Sequence, residues 1–188
     1  MHWTDIKIFL RRIDIFQGKF KIVILFVILS TLWSVGLWYS IHTYSDDVWN
    51  KDLSSAQSHE FETILTNNMI MVVRNIFSFV FLAVPAIVNV FLNGYIFGLH
   101  LTKYGVNGRD VLMHIAPYAI FELAGLFLST IVSINFSMHL LKFMLKGIPI
   151  SRQQLEDSLL SIVLVFILIF IGAVLESLMI NEKLWIYV

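Results

Sequence analysis

The stretch from Asn67 to His139 is apolar enough to lie in lipid, yet it holds Arg74, His114 and Glu122 inside that apolar run. Hydrocarbon makes each of those groups expensive, so the chain has to give them partners or a task. The same groups also serve as polar glue between helices. A hydrophobic fraction of 58 % and a charged fraction of 14 % leave too little polar surface for a soluble domain. The expected fold is all-α: a polytopic transmembrane helix bundle forming one integral membrane domain over 1–188, with the lipid bilayer as its first partner.

Residues 3–16 place Trp3, Ile6, Phe9, Leu10, Ile13 and Phe16 on one helical face, with Lys7, Arg11 and Arg12 elsewhere. That pattern predicts an amphipathic interfacial helix over 1–18, able to anchor at the headgroups or to dock a cytoplasmic partner. The first span covers 20–43 and is read as uncleaved, with Trp33, Trp38, Tyr39 and Tyr44 as an aromatic belt at its far end. Lys7, Arg11, Arg12, Lys19 and Lys21 precede this span, whereas loop 44–65 holds Asp46, Asp47, Asp52, Glu60 and Glu62 against Lys51. The positive-inside rule then predicts a multi-pass protein of the cell membrane, with a cytoplasmic N-terminus and an external acidic loop.

The core, 66–140, is expected to hold spans 2 to 4. Thr66 to Tyr104 would run about 58 Å as one helix, twice the hydrocarbon thickness. Pro85 sits near its middle, so the reading is two spans, about 67–84 and 87–104, turning at Ala83-Val84-Pro85. Gly105 to Asp110 reads as an external turn. Val111 to Leu141 forms span 4, kinked or interrupted at Pro117. The alternative makes 67–98 one tilted helix and 111–140 a re-entrant hairpin broken at Pro117. Lys142, Lys146 and Arg152 mark 142–157 as a cytoplasmic loop. Span 5 covers 158–181 and leads to an external C-terminus.

Depth arithmetic puts Arg74 roughly 12 Å, and Glu122 roughly 16 Å, below the outer ends of their spans, with Glu176 also in the outer half. An Arg74–Glu122 ion pair is therefore expected, with Glu176 sharing it or buried neutral. Gly94 and Gly98, one turn apart, predict a close helix approach, and Gly125 offers a similar small surface. Asn89 and Asn93 lie on a neighbouring stripe and can bond to another helix. His100, His114 and His139 share no ligand spacing, so neither a metal nor a cofactor is expected. Zero cysteines remove disulfides and thiolate chemistry, and a net charge of +0 gives no nucleic-acid footprint. No Walker loop or Ser/His/Asp pattern is present, so no catalytic residue and no enzyme are expected.

Asn67-Asn68, Asn93-Gly94-xxx-Gly98, Pro117-Tyr118-Ala119-Ile120-Phe121-Glu122-Leu123 and Glu176 occur in an order that resembles the stage II sporulation protein M family. The chain departs at Tyr118 and Ala119, where the family pattern has His and Gly. The resemblance implies a small permease-like protein without enzymatic activity. Its expected setting is an ATP-driven export or bacteriocin secretion and immunity system, with homo-oligomerisation or a separate nucleotide-binding ATPase subunit. The alternative it implies is a scaffold for sporulation or peptidoglycan-remodelling machinery.

Overall fold

The structure, a computed structural model, describes residues 19–43, 61–103 and 115–183. The expected interfacial helix over 1–18, the turn at 105–110, the C-terminal tail and most of the acidic loop lie outside those residues. Five helices follow in chain order: α1 (Lys19–Thr43), α2 (Phe61–Phe77), α3 (Val84–Lys103), α4 (Ala116–Lys146) and α5 (Arg152–Lys183). Four of the five, all but α3, are long and apolar enough to cross a membrane; the apolar part of α3, Val84–Leu99, is shorter. No strand occurs among the described residues.

Cross-helix neighbours fix the directions. Gly94 and Gly98 of α3 meet Trp33 and Leu37 of α1 in the same order, so these helices run parallel. Asn68 and Asn75 of α2 meet Glu122 and Ser129 of α4, again in parallel. Gly125 and Gly172 face Ile169 and Glu122, which makes α4 and α5 antiparallel. Asn75 meets Asn89 across the α2–α3 turn. Direction therefore alternates along the chain, as successive membrane passes require.

Helix α4 is the central element. Its Leu126, Phe127 and Ile131 pack with Leu29 of α1 and Val90 of α3. On its other side, Val132 packs with Val72 and Ile76 of α2 and with Val165 and Ile169 of α5. Large apolar side chains such as Val27, Phe81, Leu160 and Val163 face outward, the arrangement that hydrocarbon rather than water favours.

Helix α2 ends in a 3₁₀ turn, Ser78–Phe81, and the chain reverses at Leu82 and Ala83. Both residues are left-handed, at φ 56 and 60. Their N–H groups donate to the carbonyls of Phe79 and Ser78, satisfying the end of α2. Pro85 falls in the first turn of α3, where a missing N–H costs nothing. The long-helix reading of 67–98 is thus overturned, and the reversal sits slightly earlier than Ala83-Val84-Pro85.

Pro117 is likewise in the first turn of an unbroken 31-residue helix, so it neither kinks a span nor starts a re-entrant hairpin. The segment 142–157 is helical except for the link Gly147–Ser151. Gly147 closes α4 in a left-handed C-cap at φ 67, its N–H donating to Phe143. Ser151 and Gln154 form a reciprocal capping box that starts α5.

Two glycines test this account in different ways. A Cβ on Gly94 would lie 2.1 Å from the Trp33 carbonyl oxygen, so Gly94→Ala must part α1 from α3. It is expected to destabilise the detergent-solubilised protein by about 1–3 kcal/mol. Gly147 has open space around its Cβ position. Gly147→Ala should therefore cost only the backbone penalty, about 1–2 kcal/mol. Equilibrium unfolding in mixed micelles measures both. A neutral Gly94→Ala would show that the α1–α3 approach is wrong.

Candidate functional site

The inner face of α2 carries Asn68, Met71, Val72 and Asn75, brought onto one stripe by the helical repeat. Asn68 donates its amide to Oε1 of Glu122, on the second turn of α4. Glu122 also shares a hydrogen bond with Glu176 of α5. The close approach of α4 and α5 depends on Gly172, where an added Cβ would stand 2.7 Å from Cγ of Glu122. Three helices thus converge on one carboxyl pair.

Beside that pair lies a cavity of about 340 Å³. Asn68, Asn93, Tyr118, Glu122 and Glu176 supply its polar wall, and Trp33, Phe97, Met71 and Leu126 are among its apolar lining. Among the described residues, no lysine or arginine lines it. Asn93 accepts from Nε1 of Trp33 at 3.1 Å and points its amide at Sδ of Met71. The Trp33 and Phe97 rings stand 5.4 Å apart. Trp33 is thereby committed to the bundle interior rather than to the interfacial belt; Trp38 and Tyr39 remain exposed.

A second polar group continues along α2 and α4 towards the Leu82 turn. Asn75, almost fully buried, directs Nδ2 at the hydroxyls of Ser129 and Thr130, at 3.3 and 3.5 Å. Its Oδ1 accepts from Nδ2 of Asn89 at 2.8 Å. Ser78 and Ser133 share a bond of 2.8 Å, and Ser137 donates to the carbonyl of Phe79. On α4, Glu122, Ser129, Thr130, Ser133 and Ser137 therefore mark one polar track down the bundle.

The expected Arg74–Glu122 ion pair does not form. Arg74 follows Asn68 by about 120° of helical rotation, so one helix cannot turn both residues towards α4. Asn68 takes the place beside Glu122, and Arg74 is exposed on the outward side of α2. Glu176 does join Glu122, and Asn93 lines the same cavity. Gly94 and Gly98 lie against α1, and Gly125 lies against Ile169. Pro117 caps the helix that carries Glu122 without lining the cavity. His114 lies outside the described residues. Sequence reading missed Asn75, Tyr118 and Gly172 as parts of this arrangement. The helical repeat that relates Asn68 to Asn75 was a usable signal; nothing local marked Gly172 as the residue opposite Glu122.

Removing Asn75 should leave Asn89 and the α4 hydroxyls without their shared partner. Asn75→Leu is expected to cost about 1–2 kcal/mol in micellar unfolding. Gly172→Val is expected to push Glu122 away from Glu176 while leaving the α1–α3 seam in place. Disulfide cross-linking between cysteines introduced at Trp33 and Asn93 would remain, whereas cross-linking between cysteines at Tyr118 and Glu176 would fall.

Residues 22–179 match the protein family described as Stage II sporulation protein M. No curated protein and no solved structure matches the chain. The match covers all five helices but for the outer turns of α1 and α5, together with every described residue of the cavity, so this membrane protein belongs to the stage II sporulation protein M family.

Proposed function

We propose that the chain is the non-enzymatic membrane subunit of a multi-component, ATP-driven export system. In this reading the carboxyl-lined cavity receives a positively charged group of the exported molecule. The observation that carries it is the cavity itself: two carboxyl groups, two amides and a phenol meet aromatic walls within the bundle. Carboxylates offer acceptors to a cation, and aromatic faces attract it further once water is excluded. A secretion or self-protection system for a cationic peptide suits that chemistry.

The polar track from Glu122 to Ser137 gives such a group side chains to meet along the bundle. The charge asymmetry of the sequence favours a cytoplasmic N-terminus, which turns the cavity to the outer half. Lys142, Lys146, the Gly147–Ser151 link and Arg152 then form the cytoplasmic end, a suitable seat for an ATPase subunit. Arg152 and Glu156 pair on the exposed first turns of α5, with an N–O distance of 2.7 Å.

The test is purification of the tagged protein from its native membrane in mild detergent, followed by an ATPase assay. A nucleotide-binding subunit should accompany it. In the Glu122→Gln/Glu176→Gln variant the complex should persist while turnover falls about tenfold, equivalent to about 1.4 kcal/mol. Recovery with cell-wall proteins and no ATPase activity would sink this reading in favour of an envelope scaffold.

A further inference from the structure

The outward line of α2 carries Thr63, Asn67, Ile70 and Arg74, all exposed and within a narrow arc of the helix. Among the described residues, the side chains of Thr63, Asn67 and Arg74 make no hydrogen bond or ion pair. Helix α1 treats its outward polar groups differently. There Ser30, Thr31, Ser34 and Thr43 each donate to the carbonyl one turn earlier. Those hydroxyls are satisfied within their own helix and can face hydrocarbon. A guanidinium and a carboxamide cannot use that device. In lipid an isolated arginine costs at least about 2.5–3.5 kcal/mol.

We infer that this line of α2 is a docking surface for a membrane helix of a different protein, bearing an Asp or Glu opposite Arg74 and small polar residues opposite Asn67 and Thr63. A lipid headgroup would satisfy only part of this line. Thr63 and Arg74 are about 16 Å apart along the helix, so a phosphate at one membrane surface reaches only one end of the line. Charge disfavours a two-fold second copy. Two-fold copies in one membrane are parallel and would bring Arg74 towards Arg74. Nor does the described chain offer an acid at that height. Glu62 lies at the start of α2, Glu122 and Glu176 line the cavity, Glu156 and Asp157 lie at the start of α5, and Glu182 lies at its end. Ile70, 44 % exposed, and Phe77, 64 % exposed, supply the apolar contact beside the polar line. A helix alongside can satisfy all of these groups together, because its side chains recur at matching height.

The surface stands whether or not the cavity carries cargo. The test places a benzophenone amino acid at Ile70 or Phe77 in the full chain in its native membrane, with Val27 on α1 as the control. Irradiation should join α2 positions, and not Val27, to a membrane helix containing a carboxylate. Arg74→Ala and Asn67→Leu should each lower the adduct at least about tenfold, a loss of about 1.4 kcal/mol in association. The melting temperature of the isolated chain should stay unchanged, because neither side chain has a partner among the described residues. Exchanging charges between Arg74 and the partner's acid should restore the adduct. Adducts with phospholipid only, with a second copy, or with a segment lacking Asp and Glu would overturn the inference. So would a lowered melting temperature of the isolated Arg74→Ala chain. None of these results alters the dependence of ATPase turnover on Glu122 and Glu176, so the two proposals fall separately.

Discussion

Asn75 joins three helices at one buried point: it belongs to α2, accepts from Asn89 of α3 and faces Ser129 and Thr130 of α4. In hydrocarbon these amides and hydroxyls have no water to return to, so their mutual satisfaction ties the helices in one register. Shifting α2 by one residue along α4 would separate Asn75 from Ser129 and, at the same time, Asn68 from Glu122. The carboxyl pair is therefore positioned by the same register that holds the bundle centre. Site and scaffold share one polar framework.

Close packing supplies the rest. Apolar side chains gain little by leaving lipid for a protein interior, so helices associate where small residues let backbones approach. Gly36, Gly94 and Gly98 do this between α1 and α3, where added Cβ atoms would meet the neighbouring backbone. Gly125 and Gly172 do it between α4 and α5, against side chains of the opposite helix. The second seam has a chemical consequence that the first lacks, because it brings Glu176 to Glu122.

The reversal at Leu82 and Ala83 connects the two kinds of contact. Left-handed backbone at two non-glycine residues is locally unfavourable. It persists because the turn's N–H groups are bonded and because α3 must return close enough for Asn89 to reach Asn75. Ala83 is completely buried there, leaving no room for a larger side chain. Local strain is balanced by a long-range amide pair.

Composition and apolar run length determined that this chain forms membrane helices, and Pro85 marked a helix boundary, because desolvation and the missing proline N–H act on any such sequence alike; Pro117 read as a kink within a span, and only the structure placed it in the first turn of α4. The glycine pair Gly94 and Gly98 signalled a close seam for the same local reason. Partner choice was different. Arg74 and Glu122 lie at comparable depths in the sequence, and opposite charge favoured joining them. Tertiary structure turned Asn68 and Asn75 inward, and helical phase then carried Arg74 to the outer surface. Likewise, the Glu122–Glu176 contact depends on which residue of α5 faces α4, and Gly172 settles that only once the two helices are packed. Depth is a property of one helix and can be read from its sequence, whereas rotation about the helix axis is decided by every neighbour at once.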